Sequence, residues 1–218
     1  MALFVQKYGG TSVGDLEKMK KIARYLKGLA KDNQLVVIVS AMADATDQLI
    51  AKAKLITAEV TDSNRFGKEM DMLMAVGEQE SAALLAIYLK SEGTKAEALL
   101  AGQIGLETDS RHGQAKIIKI AQVDKIKALL GQGAIVVIAG FQGVAAETNN
   151  ITTLGRGGSD TSAVALAAAL QADSCEIYTD VDGVYSVDPR FVPGAKKYQQ
   201  ISYSHMITLA KRRRRSHA

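Results

Sequence analysis

Cysteine occurs once, proline twice, and no apolar run reaches membrane length in these 218 residues; each shortage closes off a class of protein. One thiol, Cys175, cannot form an intramolecular disulfide, so the chain is no cross-linked scaffold. It sits in Cys175-Glu176-Ile177-Tyr178, which reads as a strand entering a core, where cysteine acts as a small hydrophobe. Pro189 and Pro193 bracket a loop rather than a domain boundary. The longest apolar run, residues 163–170, falls well short of the roughly 20 residues that a membrane span requires. The first residues show no signal-peptide pattern either, and the two absences together predict a cytoplasmic protein without a membrane partner.

Two nucleotide signatures are missing as well. The pattern G-x-x-x-x-G-K-[ST] is absent, and no G-x-G-x-x-G follows a strand, which removes two families of phosphate cradle. The three histidines, His112, His205 and His217, have no metal-binding spacing among themselves and read as exposed or loop residues. Excess positive charge is confined to one end. The formal charge of +4 comes from Lys211, Arg212, Arg213, Arg214 and Arg215, without which 22 basic residues face 23 acidic ones. The body is not basic and no aromatic stacking pattern accompanies the run, so a nucleic-acid partner is disfavoured and residues 211–218 read as a solvated, disordered tail.

What is present describes a globular enzyme. With 47% hydrophobic and 23% charged residues, the chain can bury one sizeable core. Short β-branched runs at 3–5, 35–39, 134–139 and 176–179 predict strands, and helical spacing predicts helices over 15–30, 44–60, 79–91, 123–130 and 159–170. Strands that are apolar on both faces belong in a largely parallel central sheet covered by helices, so the predicted fold is a three-layer α/β sandwich. Residues 97–100, 105–108 and 115–120 read as shorter strands over the substrate-binding half, with a hairpin among them.

The densest chemical signal is Thr152-Thr153-Leu154-Gly155-Arg156-Gly157-Gly158-Ser159-Asp160-Thr161, which runs straight into an apolar helix. Glycines let backbone approach an anion, and a helix N-terminus adds unpaired N–H groups. A second glycine turn, Lys7-Tyr8-Gly9-Gly10-Thr11-Ser12, joins the first strand to the first helix, so its amides and the Lys7 ammonium converge as phosphate binding requires. Two further strands end in Ser40-Ala41-Met42 and in Gly140-Phe141-Gln142-Gly143, which places four motifs at the carboxyl edge of the predicted sheet.

Residues 7–14, 39–42 with Thr46-Asp47, Gly77-Glu78, 151–162 and 178–190 resemble the signature blocks of the aspartokinases, members of the amino-acid-kinase superfamily. The resemblance runs through roughly residues 1–210 in the family's order, and linked motifs are far more specific than one glycine turn. Tyr8 stands where the family more often has Phe, and the pattern stops after Ala210. The resemblance implies transfer of the ATP γ-phosphoryl group to the β-carboxylate of L-aspartate, a step of amino-acid biosynthesis toward lysine, threonine and methionine, with Mg2+ accompanying the nucleotide. A sibling kinase acting on another carboxylate, or a catalytically incomplete nucleotide-binding module, are the alternatives, and a homo-oligomer is compatible with the resemblance.

The same resemblance assigns roles. Lys7 would neutralise the transferring phosphate and Asp160 would orient it, although Asp160 reads from the residues alone equally as a helix N-terminal charge. Tyr8, Gly9, Gly10 and Ser40 would complete the phosphate side, with Thr179, Asp180, Tyr185 and Arg190 around the nucleotide. Glu78, at one end of a strongly apolar helix, offers an acceptor for the substrate ammonium, and Arg156 a planar fork for its α-carboxylate. Thr46, Asp47 and Gln48 supply a further substrate loop, and Gly157, Gly158 and Ser159 close around the amino acid. Asp180 and Asp182 do not make a metal site by themselves, so no protein ligand is assigned to Mg2+. Where the resemblance calls for an apolar, glycine-containing segment with a phosphate-binding lysine, the chain has four arginines. A truncated catalytic domain over 1–210 with weak ATP affinity, low stability and no inhibition by lysine or threonine is the expectation.

Overall fold

The computed structural model describes residues 1–187, 189 and 191–208; Arg190 and the basic run lie outside the described residues. Two compact units divide the chain, Met1–Asp180 and Val181–Ala218. In the first unit, β1 (Ala2–Tyr8) leads through a glycine turn to α1 (Leu16–Leu29), β2 (Asn33–Val39), α2 (Ala45–Ile56), α3 (Ser63–Met74) and α4 (Val76–Ser91). Then come β3 (Ala96–Leu99), β4 (Leu106–Thr108), β5 (Ile117–Ile120), α5 (Val123–Gly131) and β6 (Ile135–Ala139). The unit closes with β7 (Gln142–Ala145), β8 (Ile151–Thr153), α6 (Gly158–Leu170) and β9 (Ser174–Tyr178).

The main sheet has the order β3-β6-β2-β1-β9, and every pair in it is parallel. Alternation along its strands explains the three layers. Leu35, Val37 and Val39 pack with Met19, Ala23 and Leu26 of α1 and with Ala82, Leu85 and Leu89 of α4. Val36 and Ile38, pointing the other way, pack with Ile126 and Leu130 of α5 and with Ala163, Leu166 and Leu170 of α6. Both faces are therefore dry, as the unbroken apolar runs required. Residues 63–91 are long and apolar enough to cross a membrane by composition, but α4 buries Ala82, Leu85, Ala86 and Leu89 against the sheet, and its apolarity is that of a core helix. The N-terminus of α1 is capped by Asp15, whose carboxylate accepts the Lys18 N–H at 2.8 Å.

Several expectations are corrected. The helix expected over 44–60 ends at Ile56, because Thr57 is extended and caps a separate 3-10 turn, Ala58–Thr61. The strand expected at 97–100 lies at the edge of the main sheet, apart from the other two short strands. Those belong to a smaller mixed sheet, β5-β4-β7-β8, in which β4 and β5 are antiparallel. Cys175 is exposed: its strand exists, but as the other edge of the main sheet. In the second unit Tyr185 and Lys197 form an antiparallel bridge, and Tyr198 meets His205 edge-on at 5.3 Å.

Candidate active site

Strand parity sorts the residues at the end of β1. Lys7 follows Val5 onto the α6 face, while Gln6 and Tyr8 face α1. Only 9% of Lys7 is exposed, and an ammonium so enclosed requires a partner. Asp160, in the first turn of α6, lies with its Oδ1 2.7 Å from Lys7 Nζ. This contact joins the two glycine turns, which stand near opposite ends of the first unit's sequence. Gly157, at φ +74°, makes the entry to α6, a conformation that favours glycine.

The remaining strand ends meet there. The Ser40 N–H donates to the Tyr8 carbonyl at 3.1 Å and the Gly140 N–H to the Val39 carbonyl at 3.0 Å. A methyl group on Gly10 would lie 2.9 Å from the Ala41 carbonyl oxygen, and one on Gly140 would lie 2.9 Å from Ser159 Oγ. These close approaches bring the end of β2 against the first glycine turn and the end of β6 against the head of α6.

Ala41 is also the bridge to Glu78. Its N–H donates to Glu78 Oε1 at 3.0 Å, and Gly77 packs against its methyl group with Thr46 Oγ1 nearby. Glu78 is 4% exposed, in the first turn of α4, and its Oε2 has no partner among the described residues. Burial pushes its pKa up to about 7, and the bond from the Ala41 N–H acts in the opposite direction. A buried carboxylate oxygen without a donor is costly in the free protein and suits a cationic ligand. Arg156 is exposed between Gly155 and Gly157 and pairs with none of the described carboxylates, whereas Gly158 and Ser159 are buried. Asp47 and Gln48 are exposed on α2, and Thr46 is half-buried beside Gly77.

On the opposite face, Tyr8 is core. Its ring stacks on Tyr178 at 4.7 Å, and its hydroxyl donates to Gln6 Oε1 at 3.0 Å. Gln6 Nε2 and the Tyr178 hydroxyl both donate to Glu176 Oε2, at 2.7 and 3.0 Å. Burial raises the Tyr8 and Tyr178 hydroxyls well above the ordinary phenol range and keeps them protonated. This network carries Thr179 and Asp180 beside the first glycine turn, where the Gly9 N–H donates to the Tyr178 carbonyl at 3.2 Å. A groove of about 460 Å³ opens here, lined among others by Tyr8, Thr11, Ser12, Tyr178, Thr179 and Asp180. Tyr185 lies in the second unit, where its hydroxyl donates to Asp182 at 2.8 Å.

Two residues without an assigned role stand out. Phe141 adopts φ +67°, a strained conformation for a bulky side chain, and its Cδ2 lies 2.8 Å from where a methyl on Gly158 would be. His112, read from sequence as a loop residue, lies with Nδ1 2.7 Å from the buried Asp71. Phe141 lies inside a glycine motif visible in the sequence, but neither its backbone strain nor the His112 contact is legible there, since both depend on contacts between distant segments.

The model of the amino acid kinase family matches residues 2–215. An aspartokinase of Geobacillus stearothermophilus is 51% identical over 211 residues, covering 96% of this chain and 50% of that protein. An aspartokinase of Corynebacterium glutamicum is 46% identical over 96% of this chain and 49% of its own length. The chain thus spans about half the length of these curated relatives. Among solved structures, aspartate kinase from Synechocystis superposes with a TM-score of 0.80 at 45% identity, over 96% of this chain and 33% of that one. E. coli aspartokinase III in complex with aspartate and ADP superposes at 0.78 with 27% identity, over 96% and 56%.

Proposed function

The chain belongs to the amino acid kinase family, and we propose that it transfers the γ-phosphoryl group of ATP to the β-carboxylate of L-aspartate, giving 4-phospho-L-aspartate and ADP. The observation that carries this reading is the enclosed Lys7 ammonium held 2.7 Å from Asp160 at the head of α6. It is supported by relatives of 46 to 51% identity that are aspartokinases.

A carboxylate nucleophile is already ionised at neutral pH, so no base has to create it. The protein's task is alignment and charge neutralisation. Lys7 meets the charge that spreads over the transferring oxygens, and Asp160 keeps its ammonium aimed. The Gly10 amide and the Ser40 hydroxyl take the phosphates, while the Gly9 and Ser40 N–H groups, bonded to the Tyr178 and Tyr8 carbonyls, hold the backbone that presents them. Glu78 Oε2 accepts the substrate ammonium, Arg156 the α-carboxylate, and Thr46, Asp47, Gln48, Gly157, Gly158 and Ser159 surround the rest. Thr179 and Asp180 contribute to the nucleotide side, and Tyr185 and Arg190 are assigned to it by the resemblance alone. Mg2+ enters as part of the nucleotide substrate. No protein ligand is assigned to it, and in this reading phosphate oxygens and water hold it. Residues 1–210 act in this reading as a catalytic domain. The same reading places the chain in amino-acid biosynthesis in the cytoplasm.

A panel of acceptors tests it. ADP release with L-aspartate, and little with glutamate or N-acetylglutamate, is the expected result. Equal release with the longer acids would make the chain a sibling kinase, and nucleotide binding without turnover on any acceptor would make it a binding module.

A further inference from the structure

The residues assigned above leave one buried carboxylate without a task. Asp71, on α3, is 1% exposed. It accepts three donors from two other segments. Thr153 Oγ1, at the end of β8, donates to Oδ1 at 2.5 Å. The Gly113 N–H is shared between both oxygens at 3.1 Å, and His112 Nδ1 lies 2.7 Å from Oδ2. A carboxylate accepts, so Nδ1 carries the imidazole proton.

Stability alone does not explain such a group. Burying a carboxylate costs about what its pairing returns, and apolar replacements of buried pairs are often neutral. What an apolar residue could not supply is direction. The segments tied at Asp71 are α3, the loop 110–114 and the last residue of β8, and two residues beyond Thr153 the chain turns at Gly155. Loop and turn touch: a methyl on Gly155 would lie 3.0 Å from the Gly113 carbonyl oxygen, and the Ala115 N–H donates to the Thr153 carbonyl at 2.9 Å. His112 in turn lies against α3 so closely that a methyl on Gly67 would be 2.7 Å from its Cβ. Arg156 follows Gly155 directly and has no ion-pair partner of its own among the described residues, so its placement depends on the backbone that carries it.

We propose that Asp71 and His112 are positioning residues for the acceptor turn: they clamp the loop 110–114 and the end of β8 together, and so set where Arg156 meets the substrate α-carboxylate. The proposal rests on the reading of Arg156 given above. It predicts a loss specific to the acceptor. The residues assigned above to the nucleotide follow β1, β2 and β9, and the hydrogen bonds of Asp71 run to none of them.

Two variants of the whole chain test it, His112→Ala and His112→Asn, since the Asn amide can donate near the position of Nδ1. L-Aspartate and a non-hydrolysable ATP analogue are titrated calorimetrically, and amide hydrogen exchange is followed at the two ends of the turn, at Leu154 and Gly158, whose N–H groups donate to the Phe141 and Gly155 carbonyls. His112→Ala should weaken aspartate by about tenfold or more, change the nucleotide less than about twofold, and speed exchange at Leu154 and Gly158 while β1 and β2 keep their protection. His112→Asn should recover most of both losses. Unchanged aspartate affinity with unchanged exchange would overturn the clamp, as would equal loss of both ligands with protection lost throughout. If the unsubstituted chain binds no aspartate, the exchange measurement alone decides the clamp, and the failure falls on the reading of Arg156.

Discussion

Replacing Glu78 by Gln should move stability and substrate affinity in opposite directions. In the free protein its Oε2 has no donor among the described residues, and burial lifts the pKa from 4.5 to about 7. At about 1.4 kcal/mol per pH unit, that difference is worth roughly 3 kcal/mol. Because the folded pKa is raised, the associated stability is complete below 4.5 and is lost as pH rises through about 7. Urea unfolding at about pH 5 and about pH 8.5 should therefore show the unsubstituted chain losing up to roughly 3 kcal/mol more than Glu78→Gln over the same interval. Aspartate reverses the preference. Its ammonium supplies the missing partner, so affinity should improve as pH rises toward 7 and then level off, while Glu78→Gln should bind roughly 2 to 3 kcal/mol more weakly with no such pH dependence. Identical pH dependence of unfolding in the two proteins would refute the reasoning, because the buried carboxylate would then not be titrating where its surroundings place it.

Lys7→Ala should lower kcat by on the order of a hundredfold or more, with aspartate affinity nearly intact, in steady-state turnover. Arg156→Ala should weaken aspartate by roughly 2 to 4 kcal/mol and leave ATP almost unaffected in paired titrations; equal weakening of both would indicate a folding defect. Leu85→Ala, at a fully buried position between α4 and the sheet, should cost about 3 kcal/mol in denaturant unfolding without altering substrate preference.

The parts of the fold that were legible in the sequence are those where one physical demand dominates. The runs at 35–39 and 134–139 are apolar at every position because both sheet faces are covered, and α1 carries its core contacts at Met19, Ala23 and Leu26. Helix α3 escaped because it buries Gly67 and Asp71 rather than an apolar stripe, and no periodicity marks a helix whose hidden face is polar. Strands β7 and β8 escaped for a related reason. They hide Gln142, Thr152 and Thr153, which are satisfied by distant partners such as Ala75, Thr108 and Asp71. Within the site, glycine turns and the cation beside them were visible as local patterns. The Lys7 to Asp160 contact, the unpartnered oxygen of Glu78 and the strained backbone of Phe141 arise only when separate segments meet. Tyr8 shows the limit of adjacency: the strand turns Lys7 toward α6 and its neighbour into the core.

The central claim concerns where the phosphoryl group goes, and phosphorus NMR of the reaction reads that directly. With ATP, Mg2+ and L-aspartate, this chain should produce an acyl-phosphate resonance that hydroxylamine removes as aspartyl β-hydroxamate, and Lys7→Met should abolish it at equal protein concentration. ADP formation with inorganic phosphate alone, no acyl phosphate being trapped, would contradict the account.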